Sequence, residues 1–265
     1  MEAIYEPSLS VEYLTISYNG EPILEDLYFG YSGNGMIQVI GPNGAGKSTL
    51  LRSIAGLMKP KKGIVRINGT DITAKPFLAS RFLSFVPQLT IADRSITFPI
   101  TAGELLLFEL RVSGEKLSKK SSREKIISVA EIVGLSSEEL EMDLRAMSGG
   151  QKQKVFIARA LIHDRPMLLL DEPLSSIDPA SRAEIAEKIS ELSEKKLVVV
   201  TSHDPMAFME STARILLVNR KTYFFGTPEE VLKEGVLEKI YGRMIVKNGR
   251  HVHFFDDSCV HNMKK

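Results

Sequence analysis

Met36-Ile37-Gln38-Val39-Ile40-Gly41-Pro42-Asn43-Gly44-Ala45-Gly46-Lys47-Ser48-Thr49 is the stretch that decides the fold. Residues 36–40 form an apolar run of a length that suits a strand buried on both faces better than a helix. Residues 47–57 then place Leu50, Leu51, Ile54 and Leu57 on one stripe, the pattern of a core-packed helix. Gly41 to Thr49, lying between them, fits G-x-x-x-x-G-K-[ST]. Glycines in such a loop let backbone N–H groups curl around phosphate oxygens, and the helix amino end adds positive potential. Lys47 would reach β- and γ-phosphates, and Ser48 would ligate Mg²⁺. A chance Gly-rich turn is the alternative, and the strand-to-helix setting counts against it.

Outward from that loop, residues 11–17 and 23–29 read as two strands around Asn19-Gly20, a hairpin. Residues 64–67 followed by Asn68-Gly69 read as strand and turn, and 82–86 as a strand ending at Pro87. From about 88 to 144 the pattern turns helical, clearest at 102–110 and 123–133. The Lys- and Ser-rich stretch 113–122 between those helices reads as a solvated loop. From Gln151 onward, helix (to 161), strand (167–170), helix (180–192) and strand (197–201) alternate. Short apolar strands separated by helices predict a parallel sheet covered on both faces. Residues 215–218 and 223–225 add strands, Thr227-Pro228-Glu229-Glu230 has the form of a capped helix start, and Asn248-Gly249 suggests a last hairpin.

Composition narrows the function. Lys+Arg 34 against Asp+Glu 33 leaves a net charge of +1, so there is no electrostatic footprint for nucleic acid. One Cys excludes an internal disulfide and fits a reducing compartment. The opening MEAIYEPSLS carries Glu2 and Glu6 and no apolar run, unlike a secretory signal. No apolar cluster approaches the ~20 residues that span a bilayer.

Two further elements carry chemistry. Asp171-Glu172 ends the apolar run Met167-Leu168-Leu169-Leu170. A carboxylate at a strand's carboxyl end is where a nucleotide's Mg²⁺ would be held, and Glu172 suits a base that polarises a water for in-line attack. By itself, Asp-Glu-Pro after a strand also describes an ordinary surface turn. Met147-Ser148-Gly149-Gly150-Gln151 opens a helix, and either presents bare N–H groups to a phosphate or is a plain serine N-cap.

With these elements in this order, residues 9–235 resemble the ATP-binding subunit of an ATP-binding cassette (ABC) transporter. The stretch "RAMSGGQKQKVFIARAL" at 145–161 is specific to that family. The resemblance implies an α/β fold: a P-loop NTPase core with a mostly parallel sheet, an N-terminal antiparallel β subdomain and an inserted helical subdomain. The expected division is 1–88 and 148–235 for the core, 89–147 for the insert and 236–265 for a C-terminal extension. It implies ATP and Mg²⁺, with Gly41, Pro42, Asn43, Gly44, Ala45, Gly46, Lys47, Ser48 and Thr49 around the phosphates. Tyr18 sits where the family stacks an aromatic on adenine, although alone it reads as a hairpin packing residue. Gln88 matches a glutamine of the Mg²⁺ and attacking-water network, His203 the histidine at the γ-phosphate, and Ser175-Ser176-Ile177-Asp178 a loop crossing the dimer interface. Ser48, Gln88 and Asp171 are the expected metal ligands; Glu172, His203, Lys47 and Gln88 are the expected catalytic set.

In this family two subunits enclose two ATP molecules head to tail, so Ser148, Gly149, Gly150 and Gln151 would serve the nucleotide on the partner's loop. The implied partners are a second copy, membrane permease subunits and, indirectly, an extracytoplasmic binding protein, with this chain at the cytoplasmic face. Met147, Lys152, Lys154 and Asn219-Arg220-Lys221 depart from the common pattern without removing a group that hydrolysis needs. Val86-Pro87-Gln88 followed by Thr97-Phe98-Pro99-Ile100-Thr101 is similar to zinc, manganese and iron importers, with siderophore, haem and cobalamin importers close behind. A non-transport ABC ATPase is the remaining alternative. His251, His253, Cys259 and His261 suggest metal sensing, but they lack tight ligand spacing.

Overall fold

The computed structural model describes residues 6–18, 21–88, 98–112, 117–175, 177–202, 205–241, 245–248 and 251–254. β1 (Ser8–Tyr18) and β2 (Glu21–Ser32) form the predicted hairpin, longer than its apolar runs because the ladder continues from Ser8↔Ser32 to Tyr18↔Glu21. The Asn19-Gly20 turn itself lies outside the described residues. β3 (Gly35–Ile40) and α1 (Lys47–Ile54) flank the glycine-rich loop. α1 is shorter than the predicted 47–57 stripe. Gly56 takes φ 70, the left-handed conformation that ends helices, and leaves Leu57 58% exposed. β4 (Lys62–Ile67) and β5 (Thr70–Asp71) are joined through Asn68 (φ 49) and Gly69 (φ 75), both left-handed as a tight hairpin turn requires.

α2 (Pro76–Ala79) and β6 (Leu83–Val86) lead to α3 (Ala102–Val112), α4 (Lys119–Ile132) and α5 (Ser137–Glu141). α4 corrects the solvated-loop reading of 113–122 over its last residues, 119–122; 113–116 lie outside the described residues. The Ser118 side chain accepts from Ser121 N, so the Lys and Ser residues from 119 form the first helical turn. There follow α6 (Gly149–Leu161), β7 (Met167–Asp171), α7 (Pro179–Ser193), β8 (Leu197–Thr201), β9 (Thr212–Asn219) and β10 (Thr222–Gly226). Arg220 adopts φ 52 in the β9–β10 turn, where the sequence lacks a glycine. α8 (Pro228–Val231) begins with the predicted Thr227–Glu230 capping box, and α9 (Glu234–Tyr241) precedes an antiparallel pair, β11 (Ile245–Asn248) and β12 (His251–Phe254).

One sheet is antiparallel in the order β2-β1-β4-β5; the larger runs β10-β9-β3-β8-β7-β6. From β9 to β6 every neighbour is parallel, and only β10 is antiparallel. Because side chains alternate along a strand, the larger sheet packs on both faces, and Ile40, Ile215 and Leu217 form a further cluster with Val231, Leu237 and Ile240. Met36, Leu168, Leu170, Val198 and Val200 pack with the helices α3 to α7. Ile37, Val39, Leu169 and Val199 face the other way, onto α1 and the inner face of the antiparallel sheet. Each buried leucine or valine contributes about 1.5–3 kcal/mol, and this anchors the strands so that their carboxyl ends share one edge. The glycine-rich loop, Gln88, Asp171 and Thr201 all lie on that edge. Among the described residues no helix is long and apolar enough to cross a membrane.

Candidate active site

Close packing shapes the loop between β3 and α1. A Cβ on Gly41 would lie 2.0 Å from the Val218 carbonyl oxygen of β9, so only glycine lets the chain leave β3 here. Gly46, at φ 99, is the N-cap of α1 and has no side chain with which to cap that helix's first N–H groups. Such a helix end favours an anion. The Lys47 ammonium is buried and folds back over the loop, donating to Gly41 O (2.9 Å) and Pro42 O (3.2 Å).

The carboxyl ends of β7 and β8 are in register, Asp171 beside Thr201. Ser48 Oγ donates to Asp171 Oδ1 at 3.0 Å, and Thr201 Oγ1 donates to the same oxygen at 2.8 Å. Thr201 Oγ1 in turn accepts from Glu172 N at 2.8 Å. Glu172 adopts φ 48, a left-handed conformation uncommon outside glycine that turns the chain at the strand end. Its Oε2 accepts from Gln88 Nε2 at 2.6 Å.

Burial pushes the Asp171 carboxyl above its ordinary value, against the pull of the Thr201 and Ser48 hydrogen bonds. Its Oδ2 is buried with no hydrogen-bond partner among the described residues. A buried carboxylate oxygen without a partner, next to a serine hydroxyl, is a hard-oxygen donor set suited to Mg²⁺. Thr201 received no role from the sequence. The available signal was its position, a polar residue ending the apolar run Leu197-Val198-Val199-Val200 beside the strand that ends in Asp171.

Ser148, Gly149, Gly150 and Gln151 form a second group. Ser148 is the N-cap of α6, and its side chain accepts from Gln151 N while Ser148 N donates to Gln151 Oε1. Gln151 Nε2 also donates to Glu139 Oε1 of α5 at 2.8 Å, and Glu139 belongs to a second capping box with Ser136. The plain N-cap reading thus describes the Ser148 side chain in this chain on its own. Tyr18 ends β1, and Ser175 lies between Glu172 and α7. Ser176, His203, Cys259 and His261 lie outside the described residues. Among the described residues no group of three His, Cys, Asp or Glu could hold a metal ion.

Comparison with known proteins agrees with this architecture. Residues 24–175 match the family model described as ABC transporter. The ATP-binding protein EcfA2 of an energy-coupling factor transporter from Caldanaerobacter subterraneus is 33% identical over 247 residues, covering 88% of this chain and 84% of its own. A zinc import ATP-binding protein from Pseudomonas aeruginosa is 31% identical over 247 residues, covering 91% and 84%. Among solved structures, an ATP-binding cassette captured as a post-hydrolysis dimer with ADP and Pi superposes with a TM-score of 0.72 at 24% identity, over 83% of this chain and 98% of that one. The shared fold, the phosphate loop and the family match over more than half of the chain lead to one assignment: this chain belongs to the ABC transporter family, as an ATP-binding ATPase subunit.

Proposed function

We propose that this chain is the motor of a metal-ion importer, working as a head-to-tail pair at the cytoplasmic face beside separate membrane subunits. The motor assignment rests on one observation, the continuous hydrogen-bond path Ser48–Asp171–Thr201–Glu172–Gln88, which links a metal-ligand pair to a carboxylate held for general-base work. In this reading the glycine-rich loop and Lys47 hold the ATP phosphates, and Ser48 and Asp171, with Gln88 beside them, hold Mg²⁺. The metal supplies charge neutralisation at the phosphates. Glu172 orients and deprotonates the attacking water, and His203 contacts the γ-phosphate. Ser148, Gly149, Gly150 and Gln151 complete the partner copy's site, and Tyr18 stacks on adenine.

The zinc import relative supports metal as cargo. The energy-coupling factor relative, slightly more similar, supports a second reading, a transporter of that type. The subunit reconstituted with its permease in vesicles separates them. ATP-driven zinc or manganese accumulation supports the first, and its absence in an ATPase-active complex rejects it.

A further inference from the structure

Gly150 lies in α6 and is buried, and its φ is not positive, so backbone freedom does not explain a residue that forms helices poorly. Space does. A Cβ there would lie 2.8 Å from Ser181 Cβ, 2.9 Å from Ser181 Oγ and 3.4 Å from Ile177 Cγ2. The Ser181 Cβ is fixed to the backbone of α7 and cannot swing aside. Ser181 also belongs to the start of that helix, donating its N–H to the N-cap side chain Asp178 Oδ1 at 3.0 Å.

The beginning of α6 is therefore seated on Ile177 and the first turn of α7. One turn further along both helices, Lys154 Nζ donates to Glu184 Oε1 at 2.6 Å and to Gly134 O at 3.2 Å, with the lysine side chain only 10% exposed. The two ties hold α6 and α7 against sliding: a close steric stop at Gly150 and an ion pair at Lys154.

We propose that Gly150 is a positioning residue. Its missing side chain sets the distance between the Ser148-Gly149-Gly150-Gln151 helix start and residues 177–181 at the start of α7 of the same chain, and so couples the part serving the partner's nucleotide to the helix that follows Glu172. The proposal rests on the ATPase reading above. It differs from the view that Gly150 is bare so that a nucleotide can approach.

Steady-state ATP hydrolysis with Mg²⁺ separates the two in the full-length chain carrying Gly150→Ala, Ser181→Gly, both together, or Gly150→Ala with Ser181→Ala. Gly150→Ala is expected to lower kcat at least tenfold with KM for ATP within threefold of parental. Adding Ser181→Gly, which removes the opposing Cβ, restores kcat to within threefold of Ser181→Gly alone. Adding Ser181→Ala, which keeps that Cβ, restores nothing. Equal loss with and without Ser181→Gly overturns the proposal. The melting temperature reads the same contact without catalysis: Gly150→Ala lowers it and Ser181→Gly recovers it. Should the parental chain hydrolyse no ATP, the motor reading fails while the melting series still decides the steric claim.

Discussion

Gln88 Nε2 donates to Glu172 Oε2 at 2.6 Å, a bond between the segments that leave two neighbouring parallel strands, β6 and β7. It fixes a carboxylate whose backbone is already held in a left-handed conformation by the Thr201 hydroxyl.

Glu172→Gln keeps the size of the side chain and its contact with Gln88 but removes the base. Hydrolysis should fall by about 100-fold or more, as for the loss of a general base. ATP binding should persist, and an ATP-dependent dimer should accumulate in size-exclusion chromatography. A near-parental rate in the purified variant would contradict the role given to Glu172.

Thr201→Val removes the hydroxyl that links Asp171 to Glu172 while keeping the shape of a fully buried side chain. The hydrogen bond from Glu172 N and the one to Asp171 Oδ1 are then lost, which costs roughly 1–3 kcal/mol. Thermal denaturation should show a drop of several degrees, about 2–4 °C per kcal/mol for a chain near this size. Thr201→Ser should recover most of it.

Asp171 gives a pH dependence with a defined sign. Burial raises its carboxyl above the ordinary 3.8, so the folded state takes up a proton more readily than the unfolded state. The ionised carboxylate therefore costs stability at neutral pH, and the cost disappears as pH falls through the raised value toward 3.8. Asp171→Asn should melt above the parental chain at pH 7 without Mg²⁺, with the gap closing on acidification. Adding MgCl₂ should stabilise the parental chain and leave Asp171→Asn unmoved, and melting curves at matched ionic strength check both.

Gly41→Ala and Gly44→Ala separate two uses of glycine in one loop. At Gly41 the new methyl meets the Val218 carbonyl oxygen at 2.0 Å, and β3 or β9 must move, at a cost of about 1–3 kcal/mol or more. At Gly44 nothing among the described residues lies within 4 Å, and the cost is that of the left-handed φ of 72, about 1–2 kcal/mol. Urea midpoints should rank Gly41→Ala below Gly44→Ala; the reverse order would contradict this packing.

The parallel strands and their order along the chain were legible because each centres on a short, mainly apolar run. The glycine-rich loop was legible because its spacing is itself the chemistry. Two elements were misjudged where a local feature outweighed the pattern. The stripe through Leu57 overran its helix because Gly56 stops it, and Ser118 capped a helix inside a stretch whose charge suggested a loop. The pairing of Thr201 with Asp171 and the close approach of Gly150 to Ser181 were not legible. Each depends on a residue distant in the sequence, Asp171 in one case and Ser181 in the other, and no local pattern records such a pairing.

The strand order also dictates when this molecule can assemble. Among the described residues β3, which carries the phosphate loop, pairs with β8 and β9, and these leave the ribosome after nearly all of the α-helical chain has been made. The antiparallel sheet of β1, β2, β4 and β5 has its pairing partners early, so it can form while β3 waits with both edges unpaired. Nascent chains halted before Leu197 should thus hold a folded amino-terminal sheet and an unbuilt nucleotide site, and that interval is when the apolar β3 strand is most open to aggregation or to capture by a chaperone.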